Sequence, residues 1–218
     1  EDPRRQRQMC IRDRFCGSPW TLAAYSIEGR SSKDFEKTLG FLESNQKDVH
    51  DLLIKYTDAC FLYLRKQVQS GADVIQIFDS WANLLTKEGL IEFSFNYINS
   101  LISALKLDPI TKNIPVIIFA RNPKCNIEEL INTSADCISL FWSMNDLNFE
   151  VAKNKVAIQG NLDPKILLES DETIKRETYK ILERFKEYPG YIFNLGHGIT
   201  PDISPDKIKY LTNIVREY

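Results

Sequence analysis

Little in this sequence would fix a metal, a disulfide or a membrane. Its five cysteines, Cys10, Cys16, Cys60, Cys125 and Cys137, are scattered, odd in number and without a CxxC pair. Disulfide frameworks and zinc sites need close, paired spacings, so reduced thiols in a cytosolic protein are expected. No apolar run approaches the roughly 20 residues of a membrane span. Nor does a charged start lead into an apolar stretch with a small-residue cleavage site. Neither sign of charge dominates, since 28 Lys and Arg stand against 30 Asp and Glu. That excludes a global positive field of the kind that draws a protein onto nucleic acid or an anionic membrane. No GxGxxG or GxxxxGK(S/T) follows an apolar run, which removes the strongest signal of a nucleotide-binding sheet. Ser-His-Asp order and metal-ligand spacing are lacking too.

What is present is enough apolar sequence, 43% of 218 residues, for one sizeable core and a single domain. Residues 1–14 do not match the rest. EDPRRQRQMCIRDR holds five arginines and no apolar periodicity. It is expected to be a non-native or disordered lead; a functional arginine arm that contacts anions is the other reading. From Phe15 onward, short apolar strands are predicted to end near Cys16 and to cover 73–78, 115–120, 136–141, 155–159 and 191–195. Between them the three-four spacing of Val49, Leu52, Leu53, Tyr56, Cys60, Tyr63 and Leu64 predicts a long helix with one apolar face. Similar spacing predicts helices over 90–107 and 174–185. Ser204-Pro205 opens the last helix, with serine as N-cap and proline in the first turn.

Strand alternating with helix implies parallel strands joined by right-handed crossovers. Six such units in about 200 residues is the density of a barrel, which takes roughly 250 residues for eight. The expected fold is therefore an α/β (β/α)₈ TIM barrel lacking roughly its first two βα units, with residues 15–218 a partial barrel domain.

In parallel α/β folds the active site forms at the C-terminal ends of the strands. Polar and glycine-rich residues collect there: Gly17 to Gly29, then Asp79-Ser80-Trp81, Gly160 to Pro164, and Gly196 to Pro201. His197, between two glycines, would bind a carboxylate or move a proton; the alternative is a loop histidine satisfied by backbone carbonyls. Ser80 would bind a ligand or merely cap the next helix. Tyr25 would present its hydroxyl to the mouth or sit in the core. His50 is read as surface, and Asp163 before Pro164 as a helix start.

The strings FCGSPWTLAAYSIEG, GADVIQIFDSWAN, PVIIFAR, QGNLDP and YIFNLGHGITPDISP, in that order and at those separations, resemble the uroporphyrinogen decarboxylase family from about Phe15 to the C-terminus. The resemblance implies a homodimeric, cytoplasmic enzyme of heme and porphyrin synthesis. It would remove the four acetate carboxyls of uroporphyrinogen III to give coproporphyrinogen III and CO₂, with no cofactor and no metal. A protonated pyrrole would be the electron sink, and the protein would orient the macrocycle and stabilise the transient cation. Tyr25 in TLAAY, Ser80 in FDSWA and His197 in NLGHG match the family's substrate-binding residues. The GNLDP loop would shape the mouth.

The family's arginine-rich segment and its catalytic aspartate have no counterpart in this chain, so the catalytic residue is unknown within it. A substrate with eight carboxylates needs bidentate cationic partners, so the 218-residue form is expected to turn over little or nothing. Phe141 stands where the family usually has an acidic residue, and Arg121 where lysine is common. Two alternatives stay open. One is a zinc-dependent corrinoid or coenzyme M methyltransferase on the same barrel, against which no cysteine follows Cys137. The other is an inactive barrel acting as a binding protein.

Overall fold

The structure, a computed structural model, describes residues 14–30, 32, 34–145 and 147–218. Except for Arg14, the basic lead lies outside them. The chain forms two compact units, Glu1–Cys137 and Ile138–Tyr218.

In the first unit, strands β1 (Phe15–Gly17), β2 (Ile75–Asp79) and β3 (Val116–Ala120) pair in parallel. Gly17 stands opposite Phe78, and Ala120 opposite Asp79. All five residues of β3 are buried, as a parallel strand covered on both faces requires. Strand β2 starts two residues later than its apolar run suggests and carries on into Asp79. A carboxylate ends a buried strand at this point because hydroxyl groups from other elements meet it.

Helix α1 (Pro19–Glu28) follows β1 directly. Ser18 caps it by accepting from Thr21 N at 3.0 Å, and Pro19 supplies a preset φ in the first turn. Gly29, at φ 77°, ends it in the left-handed conformation that costs glycine little. After α2 (Glu36–Ser44) comes the long α3 (Gln46–Gln69), which buries Val49, Leu53, Cys60, Leu64 and Gln67. Tyr63, expected on that face, projects outward at 57% exposure. Beyond β2, α4 (Lys87–Leu90) passes through a π-helical turn, Ile91–Phe95, into α5 (Asn96–Leu107). The periodicity of 90–107 predicts one regular helix; the wide turn is a local shift of register, of a kind found often at functional positions. His50 is not a bare surface residue. Its Nδ1 meets the Tyr97 hydroxyl at 2.6 Å and its ring stacks on Phe93 at 4.9 Å.

The short α6 (Ile127–Ile131) is held by a capping box. Asn126 Oδ1 accepts from Glu129 N at 3.2 Å, and Glu129 Oε2 accepts from Asn126 N at 2.7 Å. Asn126→Ala removes one half of that exchange and is expected to cost about 1 kcal/mol in chemical denaturation. An unchanged midpoint would show the cap to be redundant.

In the second unit, β5 (Ala157–Gln159) and β6 (Tyr191–Ile192) pair in parallel, with Gln159 opposite Ile192. Strand β4 (Cys137–Ser139) straddles the unit boundary, and the amide of Leu140 just after it donates to Gln159 O at 2.8 Å. No α-helix lies between β4 and β5 among the described residues, only a 3₁₀ turn at Phe149–Val151. Another 3₁₀ turn, Pro164–Leu168, starts at Asp163, which accepts from Lys165 N at 3.0 Å. That is the helix-start role expected of it. Helices α7 (Asp171–Phe185) and α8 (Pro205–Glu217) close the unit, the latter capped by Ser204 as predicted. Within the first unit the strands lie in chain order, β1-β2-β3, and in the second β5 lies beside β6. A doubly wound sheet would reverse that order at a switch point; a barrel does not.

Candidate active site

In the first unit the residues after β1, β2 and β3 form one cluster. At its base is Asp79, fully buried at the end of β2. One carboxylate oxygen accepts from Thr21 Oγ1 at 3.2 Å, and the other from the hydroxyl of Ser94 on the π-helical turn. The Ser18 hydroxyl, which donates to Thr21 Oγ1 at 3.1 Å, and the backbone N–H of Trp81 stand near enough to favour its ionised form. Burial pushes the Asp79 carboxyl above the ordinary carboxylate range, and these hydrogen bonds pull against that. The network joins the start of α1, the end of β2 and the π-helical turn. It sets the next residue directly, because Ser80 N donates to Thr21 Oγ1 at 2.9 Å.

Ser80 does not cap a helix: Trp81 is the N-cap residue of the 3₁₀ turn Ala82–Leu84 that follows. Its hydroxyl makes no hydrogen bond among the described residues. Tyr25 is no core tyrosine, being 39% exposed. It stands edge-on to Trp81 at 5.8 Å and packs against Phe35 at 5.9 Å, and its hydroxyl too has no partner among the described residues. Trp81 is pinned from below, since its carbonyl accepts from the indole N–H of the buried Trp20 at 3.1 Å. Tyr25 and Ser80 thus flank one tryptophan, each with a hydroxyl open to a ligand.

In the second unit, His197 follows β6. Its Nδ1 lies 3.3 Å from Gly198 O, and its ring meets Phe141 edge-on at 5.8 Å. The backbone-carbonyl contact expected of a loop histidine is therefore present, together with an aromatic one. The two flanking glycines differ in purpose. A Cβ on Gly196 would lie 2.6 Å from Trp142 Cα, whereas one on Gly198 would meet nothing within 4 Å. Gly196 is a close approach of two backbones. In the GNLDP loop, Gly160 has φ 118° and its own close neighbour, Leu140 O, 3.1 Å from where a Cβ would be. Asn161 is buried and donates to Phe141 O at 3.2 Å. These contacts fix the shape of the loop.

Thr21, Asp79, Trp81 and Ser94 were not singled out by sequence reasoning. One signal was available for Asp79: a carboxylate at the end of an otherwise apolar strand, next to a candidate ligand-binding serine. Ser94 had none, because its role depends on a π-helical turn. Among the described residues no group of three or more His, Cys, Asp or Glu is placed to hold a metal ion, and no helix is long and apolar enough to cross a membrane.

Among solved structures, a methyltransferase from Methanosarcina mazei superposes with a TM-score of 0.70 at 20% identity, over 93% of this chain and 58% of that one. At that identity the likeness speaks for the fold alone, a parallel α/β architecture of TIM-barrel type. Curated relatives are nearer in sequence. The uroporphyrinogen decarboxylase of Ruthia magnifica is 41% identical over 206 residues, covering 94% of this chain and 59% of that protein. That of Alcanivorax borkumensis is 40% identical over 205 residues, covering 93% and 58%. The chain thus spans somewhat under three fifths of the length of these relatives. A family profile described as Uroporphyrinogen decarboxylase (URO-D) matches residues 14–218. Since that stretch runs through all three strand ends of the first unit and on through His197, the chain belongs to the uroporphyrinogen decarboxylase family.

Proposed function

We propose that this family member decarboxylates the four acetate side chains of uroporphyrinogen III, giving coproporphyrinogen III and four CO₂. Each step exchanges a carboxylate for a proton. A pyrrole ring carbon is protonated, and the C–C bond to CO₂ breaks as its electron pair neutralises the cationic ring and leaves an exocyclic methylene. That methylene takes up a proton while the ring carbon releases its own, giving the methyl group. The ring is its own electron sink, so metal and organic cofactor are not required. The protein's part is orientation and preorganised charge. Tyr25 and Ser80 hydrogen-bond substrate carboxylates, and His197 does so near the reacting side chain. Family membership supports this reading, and one observation carries it to the residues: the hydroxyls of Tyr25 and Ser80 have no partner among the described residues and stand beside one tryptophan at adjoining strand ends. The enzyme works as a cytoplasmic homodimer.

The test is an anaerobic assay of the full gene product with uroporphyrinogen III, read by chromatography of the oxidised porphyrins. Coproporphyrin is expected. Tyr25→Phe and Ser80→Ala should each lower kcat/KM by about tenfold or more, as loss of a hydrogen bond to a charged group does. A well-folded protein that forms no product would leave the binding-protein alternative in its place.

A further inference from the structure

We infer that Arg121, laid over Trp81, is a carboxylate-binding subsite beside Tyr25 and Ser80; as a substrate contact it rests on the polycarboxylate reading above. The register places it. Ala120 is paired with Asp79, so the next residue of each strand, Arg121 and Ser80, are level, and Arg121 N donates to Asp79 O at 2.9 Å. The Arg121 guanidinium carbon lies 5.4 Å from the centre of the Trp81 ring. A guanidinium attracted to the face of an aromatic ring spends no N–H donor on a hydrogen-bond acceptor there, so its donors stay available to other partners. Among the described residues, Arg121 has no ion pair, and the nearby Asp79 carboxylate is engaged by the hydroxyls of Ser94 and Thr21.

A second donor of the cluster lacks a partner. The Trp81 indole N–H is buried and has no hydrogen-bond partner among the described residues. A buried donor left unpaired is costly, and in native structures it calls for a ligand or another explanation. Arg121, Trp81, Tyr25 and Ser80 together are four side chains with donors and no carboxylate among them to consume those donors. The planar, bidentate edge of a guanidinium matches a carboxylate. The support is rigid, because Trp81 is gripped by Trp20, Phe35 at 4.3 Å and Tyr25. The basic residue in the PVIIFAR string is in this reading a substrate contact, not a surface charge.

The test uses ¹⁵N-labelled 218-residue chain and follows the Arg121 Nε–H and Trp81 indole N–H signals. Two ligands are added separately: succinate as a minimal carboxylate, and uroporphyrin III, the air-stable octacarboxylate. Both signals are expected to move with both ligands. Arg121→Ala should weaken uroporphyrin by about tenfold or more, with Arg121→Lys in between. Movement with succinate, without any uroporphyrin binding, would support the subsite and count against the porphyrin substrate. Uroporphyrin binding that leaves the Arg121 signal still, and is equal in Arg121→Ala, would overturn the subsite and leave the proposed reaction standing. If neither ligand moves either signal, the subsite is overturned.

Discussion

Asp79→Ala is expected to destabilise the protein by about 3 kcal/mol or more in chemical denaturation. The side chain is fully buried and accepts hydrogen bonds from Thr21 and Ser94, with the Ser18 hydroxyl and the Trp81 backbone N–H beside it. Thr21 keeps an alternative acceptor in Phe78 O at 3.2 Å, but Ser94 loses its acceptor inside the core. Each buried donor left unpaired costs about 1–3 kcal/mol, and a small cavity adds to it. The conservative Asp79→Asn keeps shape and most partners, and it isolates the charge. Because the folded protein holds this carboxyl above its ordinary value, the ionised form is disfavoured in the native state. Its contribution is fully present below the ordinary carboxylate pKa, about 3.9, and is lost as pH rises through the raised value. Surface carboxylates such as Glu177, held below the usual range by Lys180, run the opposite way, so the two proteins must be compared at each pH. The stability of wild type relative to Asp79→Asn should fall with rising pH. A difference that grows with pH would mean that the surrounding donors outweigh burial and that the site stabilises the carboxylate.

The second large effect is expected at Gly196. A methyl group there would sit 2.6 Å from Trp142 Cα and 2.8 Å from its Cβ. Since the nearest atoms are mainly backbone, no flexible side chain can swing aside. The strand end must shift, and with it the bond from Gly196 N to Leu162 O, now 2.8 Å. Gly196→Ala should cost about 3 kcal/mol, the upper range for overpacking, and should displace the neighbouring His197. Gly198→Ala is the matched control: it meets open space and should stay within about 0.5 kcal/mol. Thermal melts of the two variants decide the matter, since equal losses would place the cost in chain entropy instead of the close approach.

Much of the architecture could be read from local pattern. The apolar runs located all six strands, the spacing of Val49, Leu53, Cys60 and Leu64 located α3, and Ser204-Pro205 marked the start of α8. These signals are local because a strand or a helix face repeats within a few residues. The ends were less legible. Strand β6 stops at Ile192 rather than Leu195, though Leu195 still bridges to Leu162. Helix α1 begins straight after β1, in a stretch for which no helix is predicted.

Local pattern along the chain was enough for the strand-helix alternation, the parallel class and, through five strings in register, the family. It also placed Tyr25, Ser80 and His197 next to strand ends. Which polar groups are spent and which are left open became visible with the folded chain. Asp79 is consumed by hydroxyls 15 and 58 residues away, while Arg121 lies on Trp81 with its donors uncommitted. The reason is physical: periodicity is a property of neighbours along the chain, but a hydrogen-bond partner across parallel strands is set by register, after the crossovers have closed.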